Sequence, residues 1–221
     1  MNAHSHSASP LLRAHLDGPF LPGRLLSRQH VQFGDYVVSL TAPGSPRMPN
    51  GIECAIQAGS DIRVAIGGGR LVVGDVVIHP GPEWNPVPTV ERGLVLPPGP
   101  APLVRALAGF GPGLTPAGDD VLAGYVSGLV LLHGKFKQAG RIAEEAALRT
   151  NSLSATLLRH AALGEVPEPV HVLLATGNAR PLLSFGHSSG QAWLRGLVSA
   201  GYALEVDRFL IPAMGLAGRA L

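Results

Sequence analysis

The chain has 221 residues, of which 46% are hydrophobic and only 14% charged. That balance excludes a disordered chain and supplies apolar material for one large domain or two small ones, with no need of disulfides or metals to fold. A net charge of +2, with no basic stretch interleaved with aromatics, argues against a nucleic-acid partner, and the single cysteine, Cys54, excludes an internal disulfide or a thiolate metal cluster.

In chain order, Met1 to Pro10 is polar and lacks the charged-then-apolar pattern of a secretory leader. Short β-rich runs follow. Val31 to Phe33 and Tyr36 to Leu40 read as two strands joined by a Gly34-Asp35 hairpin turn. Ile52 to Gln57, Ile62 to Ile66, Leu71 to Val73 and Val76 to Ile78 read as further strands, with turns at Gly67-Gly68-Gly69 and Gly74-Asp75. Cys54 lies in an apolar strand as a small core residue. Pro80, Pro82, Pro86 and Pro88 forbid regular structure, and Pro97 to Pro100 forms a stiff linker.

Beyond residue 100 the hydrophobic period becomes helical. Helices are predicted over Pro102 to Ala108, Pro116 to His133, Lys135 to Arg149, Ser152 to Leu163, Pro169 to Ala175, Pro181 to Phe185 and Ser189 to Ala200, with a last strand over Tyr202 to Ile211. The second of these helices is apolar nearly all round, which predicts a buried central helix, with Ala123, Gly124 and Gly128 permitting close helix approach. Its apolar run, Val121 to Leu132, is too short for the roughly 20 residues a bilayer span requires. The fold class is therefore α+β. Residues 1–100 form a mostly antiparallel sheet or small barrel, and residues 101–221 form a helical bundle, possible as one compact unit. The sparse surface charge predicts burial against other subunits, and the whole reads as a soluble cytoplasmic oligomer.

The most informative stretch is Gly109-Phe110-Gly111-Pro112-Gly113-Leu114-Thr115-Pro116-Ala117-Gly118-Asp119-Asp120, which runs into the buried helix. Gly111 and Gly113 leave backbone amides open to a ligand, while Thr115 and Pro116 read as N-cap and first helical residue. Such an end favours a small anion or phosphate. Asp119 and Asp120 either complement the helix dipole, hold a Mg²⁺ ion, or supply a base. Gly186-His187-Ser188-Ser189-Gly190 repeats the pattern, with His187 able to move a proton or polarise a carbonyl and two serines as caps or donors. Thr150 to Ser154 is explained by helix capping. Pro49-Asn50-Gly51 reads as a turn in which Asn50 is a minor candidate ligand, and Trp84-Asn85-Pro86 as an anchored loop.

In this order and spacing, Pro49-Asn50-Gly51-Ile52, Trp84-Asn85-Pro86, the Gly109 to Asp120 stretch, Thr150 to Ser154 and Gly186 to Gly190 resemble the AllH-like family over residues 20–200. Val121 departs from it, standing where an aromatic is expected. The family takes its name from a subunit of the anaerobic oxamate carbamoyltransferase of allantoin degradation, a part of purine catabolism. The resemblance implies a multi-subunit system that interconverts oxalurate plus phosphate with oxamate plus carbamoyl phosphate. On that implication Gly111, Gly113 and Thr115 cradle phosphate, Ser188 and Ser189 add donors, and His187 polarises the carbamoyl oxygen or moves the proton. Asp119 and Asp120 orient the amine or bind Mg²⁺. Two other classes stay open: a non-catalytic scaffold subunit, and a stand-alone Mg²⁺-dependent acyl-phosphate enzyme.

Overall fold

A computed structural model describes residues 4–54 and 62–203. Residues 55–57 of the predicted strand beginning at Ile52, and residues 204–211 of the predicted last strand, lie outside that range.

The N-terminal part is a mostly antiparallel sheet curled into a nearly closed barrel. Its strands are β1 (His4–Ser7), β2 (Leu21–Ser27), β3 (His30–Phe33), β4 (Tyr36–Thr41), β5 (Gly51–Glu53), β6 (Val64–Gly67), β7 (Arg70–Val73), β8 (Val76–Ile78) and β9 (Pro80–Trp84). They lie in the order β8-β7-β6-β2-β3-β4-β5-β1-β9. The β3–β4 hairpin pairs Phe33 with Tyr36 across the Gly34-Asp35 turn, as its alternation predicts. Alternate residues Val31, Phe33, Val38 and Leu40 face inward, joining Ile52, Cys54, Ile66, Leu71 and Ile78 in one apolar core. A short helix, α1 (Pro10–Leu16), adds Leu12 and Leu16 to it.

Four N-terminal elements escape the sequence reading. Strands β1 and β2 and helix α1 are not announced by a clear period, since β1 is polar and β2 contains no buried residue. The prolines at 80 and 82, expected to forbid regular structure, lie instead in β9. This strand pairs only with β1, at the edge of the sheet. An edge strand needs hydrogen bonds on one side alone, so proline's missing N–H is tolerated there.

The helices are α2 (Val104–Leu107), α3 (Ala117–His133), α4 (Phe136–Ala147), α5 (Ser152–Ala162), α6 (Glu168–Thr176), α7 (Arg180–Leu183) and α8 (Ser189–Ser199). Helix α3 is buried along most of its length, and Tyr125, Leu129, Trp193 and Leu197 sit in the core around it. Its close partner is α8. A Cβ on Gly124 would lie 2.2 Å from the Trp193 carbonyl oxygen, and one on Gly196 would lie 2.2 Å from that of Val121. Glycine at both positions is what lets the two backbones approach this closely. A second small sheet pairs β10 (Leu94–Val95) with β11 (Tyr202–Ala203), so the segment after α8 returns alongside the one that precedes the helices. No helix among the described residues is long and apolar enough to cross a membrane.

Strand β4 and helix α5 join the two parts. Val37, Leu153 and Leu157 form a small apolar cluster, and the Thr156 hydroxyl accepts from the Val37 N–H at 3.0 Å. Arg47 grips Glu168 with Nη2 at 2.7 Å and Nε at 3.2 Å, and its guanidinium covers the Trp84 ring at 5.2 Å. Beneath these contacts lies a buried polar cluster. Glu165 Oε2 accepts from Ser9 Oγ at 2.7 Å and from His160 Nδ1 at 2.5 Å, while Tyr36 donates its hydroxyl to His160 Nε2 at 3.0 Å. The carboxylate fixes the proton on Nδ1 and so leaves Nε2 free to accept. Burial, followed by the Glu165 charge, pushes the Tyr36 hydroxyl well above its usual range and keeps it a neutral donor.

Candidate functional site

The backbone of α3 begins one residue later than predicted. Pro116, with ψ of 140°, is the N-cap and makes no side-chain cap bond, so Thr115 stands just outside the helix. Its hydroxyl is released from capping and meets Ser189 Oγ at 3.3 Å, bringing the starts of α3 and α8 together. The close α3–α8 crossing dictates this meeting, because both helices approach it from their N-terminal ends.

The two adjacent acids of α3 have different surroundings. Asp119, 2% exposed, has both oxygens engaged. The Gly109 N–H donates to Oδ1 at 2.7 Å and the Thr150 hydroxyl to Oδ2 at 2.5 Å. Asp119 therefore ties the glycine-rich loop to the turn preceding α5. Asp120, 3% exposed, has an Oδ2 atom with no hydrogen-bond partner. Burial pushes its carboxyl up to about 7, reinforced by the neighbouring Asp119 charge and opposed by hydrogen bonding with Ser189 and Trp193.

Asp120 lines a cavity of about 320 Å³ between the barrel and the helices. Thr115, Asp120, Ser189 and Trp193 form part of the helical wall. The opposite wall comes from His30, from Ser39 and Thr41 of β4, and from the loop that follows through Met48. Leu153, Leu157 and Phe185 complete an apolar lining. Ser39 is buried, and its Oγ is a second polar atom without a partner. His30 receives or donates a 2.8 Å hydrogen bond with Ser27, and burial pulls its imidazole below the ordinary value.

Other sequence candidates lie elsewhere. Gly111 and Gly113 are exposed at positive φ (122° and 91°) and do not line the cavity; nor do His187 and Ser188, which are exposed on the turn before α8. Asn50 is fully buried, donating to the Val37 carbonyl at 2.8 Å from a turn closed by Gly51 N–H to Met48 O at 2.9 Å. Asn151, as predicted, caps α5, accepting from Leu153 and Ser154 N–H at 3.0 Å each. Asn85 accepts from the Val87 N–H at 3.0 Å, anchoring the loop after Trp84.

Several amides at the two helix starts are committed, most of them at α3. Pro116 has none; Gly118 donates to Phe110 O at 2.9 Å, and Asp119 and Asp120 both donate to Pro116 O. At α8 the Gly190 N–H donates to Phe185 O at 3.0 Å. As for Mg²⁺, each Asp119 oxygen already accepts one hydrogen bond, whereas Asp120 Oδ2 accepts none. Among the described residues no group of three His, Cys, Asp or Glu is placed to hold a metal ion. The sequence reading missed Ser39, His30 and Trp193, whose own neighbours in the chain give them no motif. Only the seam between barrel and helices brings them to one space.

Residues 107–201 match the family model of the oxamate carbamoyltransferase subunit AllH, and this stretch of the chain is AllH-like. The match spans α3 to α8 and both glycine turns, and stops short of the strands that supply the other wall of the cavity. No curated protein and no solved structure matches the chain.

Proposed function

We propose, from the AllH-like helical part, that this chain is a subunit of a carbamoyltransferase-type system and holds a small substrate of that system in the cavity between barrel and helices. The observation that supports this reading is the meeting of Thr115, Asp120 and Ser189 on one wall of a cavity large enough for such a molecule. Asp120 is the reactive candidate. A carboxyl near 7 exchanges its proton readily at neutral pH, as a group that orients an amide nitrogen and shares its proton must. Thr115 and Ser189 would act as hydroxyl donors beside it. In this reading Asp119 shapes the loop and takes no part in chemistry.

The test is a thermal-shift titration of the full chain with oxamate, oxalurate, carbamoyl phosphate and inorganic phosphate, repeated with Ser189→Ala and Asp120→Ala. A ligand at a hundred times its dissociation constant adds roughly 2.7 kcal/mol of stability, a readily measured shift. Stabilisation that disappears in both variants supports the cavity; stabilisation that survives in both places the ligand elsewhere.

One observation favours a second reading, that of a contact subunit without chemistry. Phe110 is 68% exposed and Leu114 also stands in solvent, both on the glycine-rich loop that opens α3. An apolar loop held out in this way suits a partner subunit. Phe110→Ser would then abolish assembly while leaving ligand-induced stabilisation of the isolated chain intact.

A further inference from the structure

On the antiparallel sheet formed by β2, β6, β7 and β8, strand register decides which residues face outward. Ile66, Leu71 and Ile78 are paired across β6, β7 and β8 and point into the barrel core. Their chain neighbours Ala65, Val72 and Val77 therefore point outward. The same register sets Pro22 opposite Ala65, Ala65 opposite Val72 and Val72 opposite Val77, in one row across four strands. All four residues are apolar, where the outer face of an antiparallel sheet ordinarily carries polar side chains. Val77 is 48% exposed, and Pro22 is exposed as well. Two residues along each strand, roughly 7 Å from the row, the same face carries charge. Phe20 and Arg70 flank the row on one side, with the Arg70 guanidinium 4.9 Å over the Phe20 ring. Arg24, Arg63 and Asp75 flank it on the other. Arg24 donates to the neutral Gln32 amide oxygen at 2.8 Å, which leaves its charge uncompensated. Among the described residues, none of these three arginines is in an ion pair.

We propose that this outer face of the barrel docks an acidic amphipathic segment of another protein. The segment's apolar side chains lie on the row from Pro22 to Val77, and its carboxylates lie beside Arg24, Arg63 and Arg70. The uncompensated positive rim selects the sign of the partner. A second copy meeting face to face would bring three arginines and one acid from each chain together. The area is also wrong for such a dimer. Four strands about 4.8 Å apart give a row about 14 Å long, and the flanking positions give a similar width. That face of roughly 200 Å² is far below the roughly 800 Å² per partner of a stable interface, and suits one short helix or strand. A face that inserts into lipid presents Trp, Phe and Leu, whereas this row is Pro, Ala and Val, and Arg70 covers Phe20. The face lies outside residues 107–201 and takes no part in lining the cavity, so the proposal is independent of the cavity reading.

The experiment titrates the full chain into three fluorescein-labelled synthetic peptides of about 14 residues, roughly four helical turns. One carries Leu and Glu at amphipathic helical spacing, the second Leu and Lys in the same pattern, and the third Ser and Glu. Fluorescence anisotropy should show the Leu/Glu peptide binding at least roughly tenfold tighter than either control. That is the scale of two exposed charge pairs turned from attraction to repulsion. Its affinity should fall as salt is raised. The double variant Arg63→Glu, Arg70→Glu should reverse the preference in favour of Leu/Lys, and Val77→Ser should weaken Leu/Glu severalfold. All three positions are exposed, so the variants are expected to keep the melting temperature of the unmodified chain. The three-peptide comparison in the unmodified chain stands whether or not they fold. Equal binding of Leu/Glu and Leu/Lys, a preference that survives the charge reversal, or no binding by about 1 mM peptide would each overturn the proposal. Binding to phosphatidylglycerol vesicles that both variants abolish would overturn it by giving the face to a membrane. Dimerisation in sedimentation that Val77→Ser abolishes would give it to a second copy instead.

Discussion

Two buried polar clusters span the same seam between barrel and helices and have opposite properties. In the Ser9–Tyr36–His160–Glu165 cluster every buried side-chain atom has a partner, and the four residues come from α1's cap, β4, α5 and the turn after it. In the Asp120–Ser39 pair one atom of each residue has none, and both line a cavity. On the proposed reading of the cavity, the difference separates a fastener from a site. A closed network spends its polar groups on holding the barrel to the helices, whereas an open one keeps them for a molecule that is not part of the chain. Asp119 and Asp120 repeat the contrast between adjacent residues, the first closed by Gly109 and Thr150, the second open.

Substitutions should therefore act with opposite signs on the two clusters. The largest effect is expected at Glu165→Ala, which strands the Ser9 hydroxyl and the His160 Nδ1 proton in the interior. It should cost about 3–5 kcal/mol in denaturant unfolding, and a loss below about 1 kcal/mol would break the distinction.

Asp120→Asn should do the reverse and stabilise the chain by about 3 kcal/mol at pH 8. Its sign follows from the raised value. Between the ordinary carboxylate range, near 3.8, and about 7, the folded state binds the proton more tightly than the unfolded state. The unmodified chain therefore loses stability as pH rises through that window, and the asparagine variant does not. Unfolding of both proteins at pH 5 and pH 8 checks this: the advantage of asparagine should shrink at the lower pH. An advantage independent of pH would mean that Asp120 has a partner for its charge.

Asp119→Asn sharpens the contrast, since the same isosteric change one residue earlier should destabilise by about 2 kcal/mol through loss of the charge-assisted bond from Thr150. Smallest of all, Ser189→Ala should cost about 1 kcal/mol, because half-buried Thr115 can turn to water while Asp120 loses one of its hydrogen bonds. Its effect belongs to ligand titrations, where it should weaken binding of the substrate class proposed for the cavity.

Much of this arrangement is legible along the chain wherever short-range periodicity decides it. The β3–β4 hairpin follows from alternation around Gly34-Asp35, and α3 from an apolar run that only a buried helix can satisfy. The close α3–α8 contact is foreshadowed by Gly124 and Gly128, although Gly196 carries as much of it. Strand β9 was hidden because prolines conceal an edge strand, whose single-sided pairing is a property of the sheet and not of its residues.

For the site, the sequence by itself determined that α3 and α8 begin in glycine turns bearing Asp119, Asp120 and Ser189, because turn and helix signals are local. It did not determine which acid is closed and which open, since Thr150 lies 31 positions from Asp119 and only folding brings them together. Nor could it show Ser39 facing the same cavity as Asp120, or His187 left in solvent. Those outcomes depend on how the barrel seats against the helices. Burial and pairing are properties of that contact, and no single segment contains them.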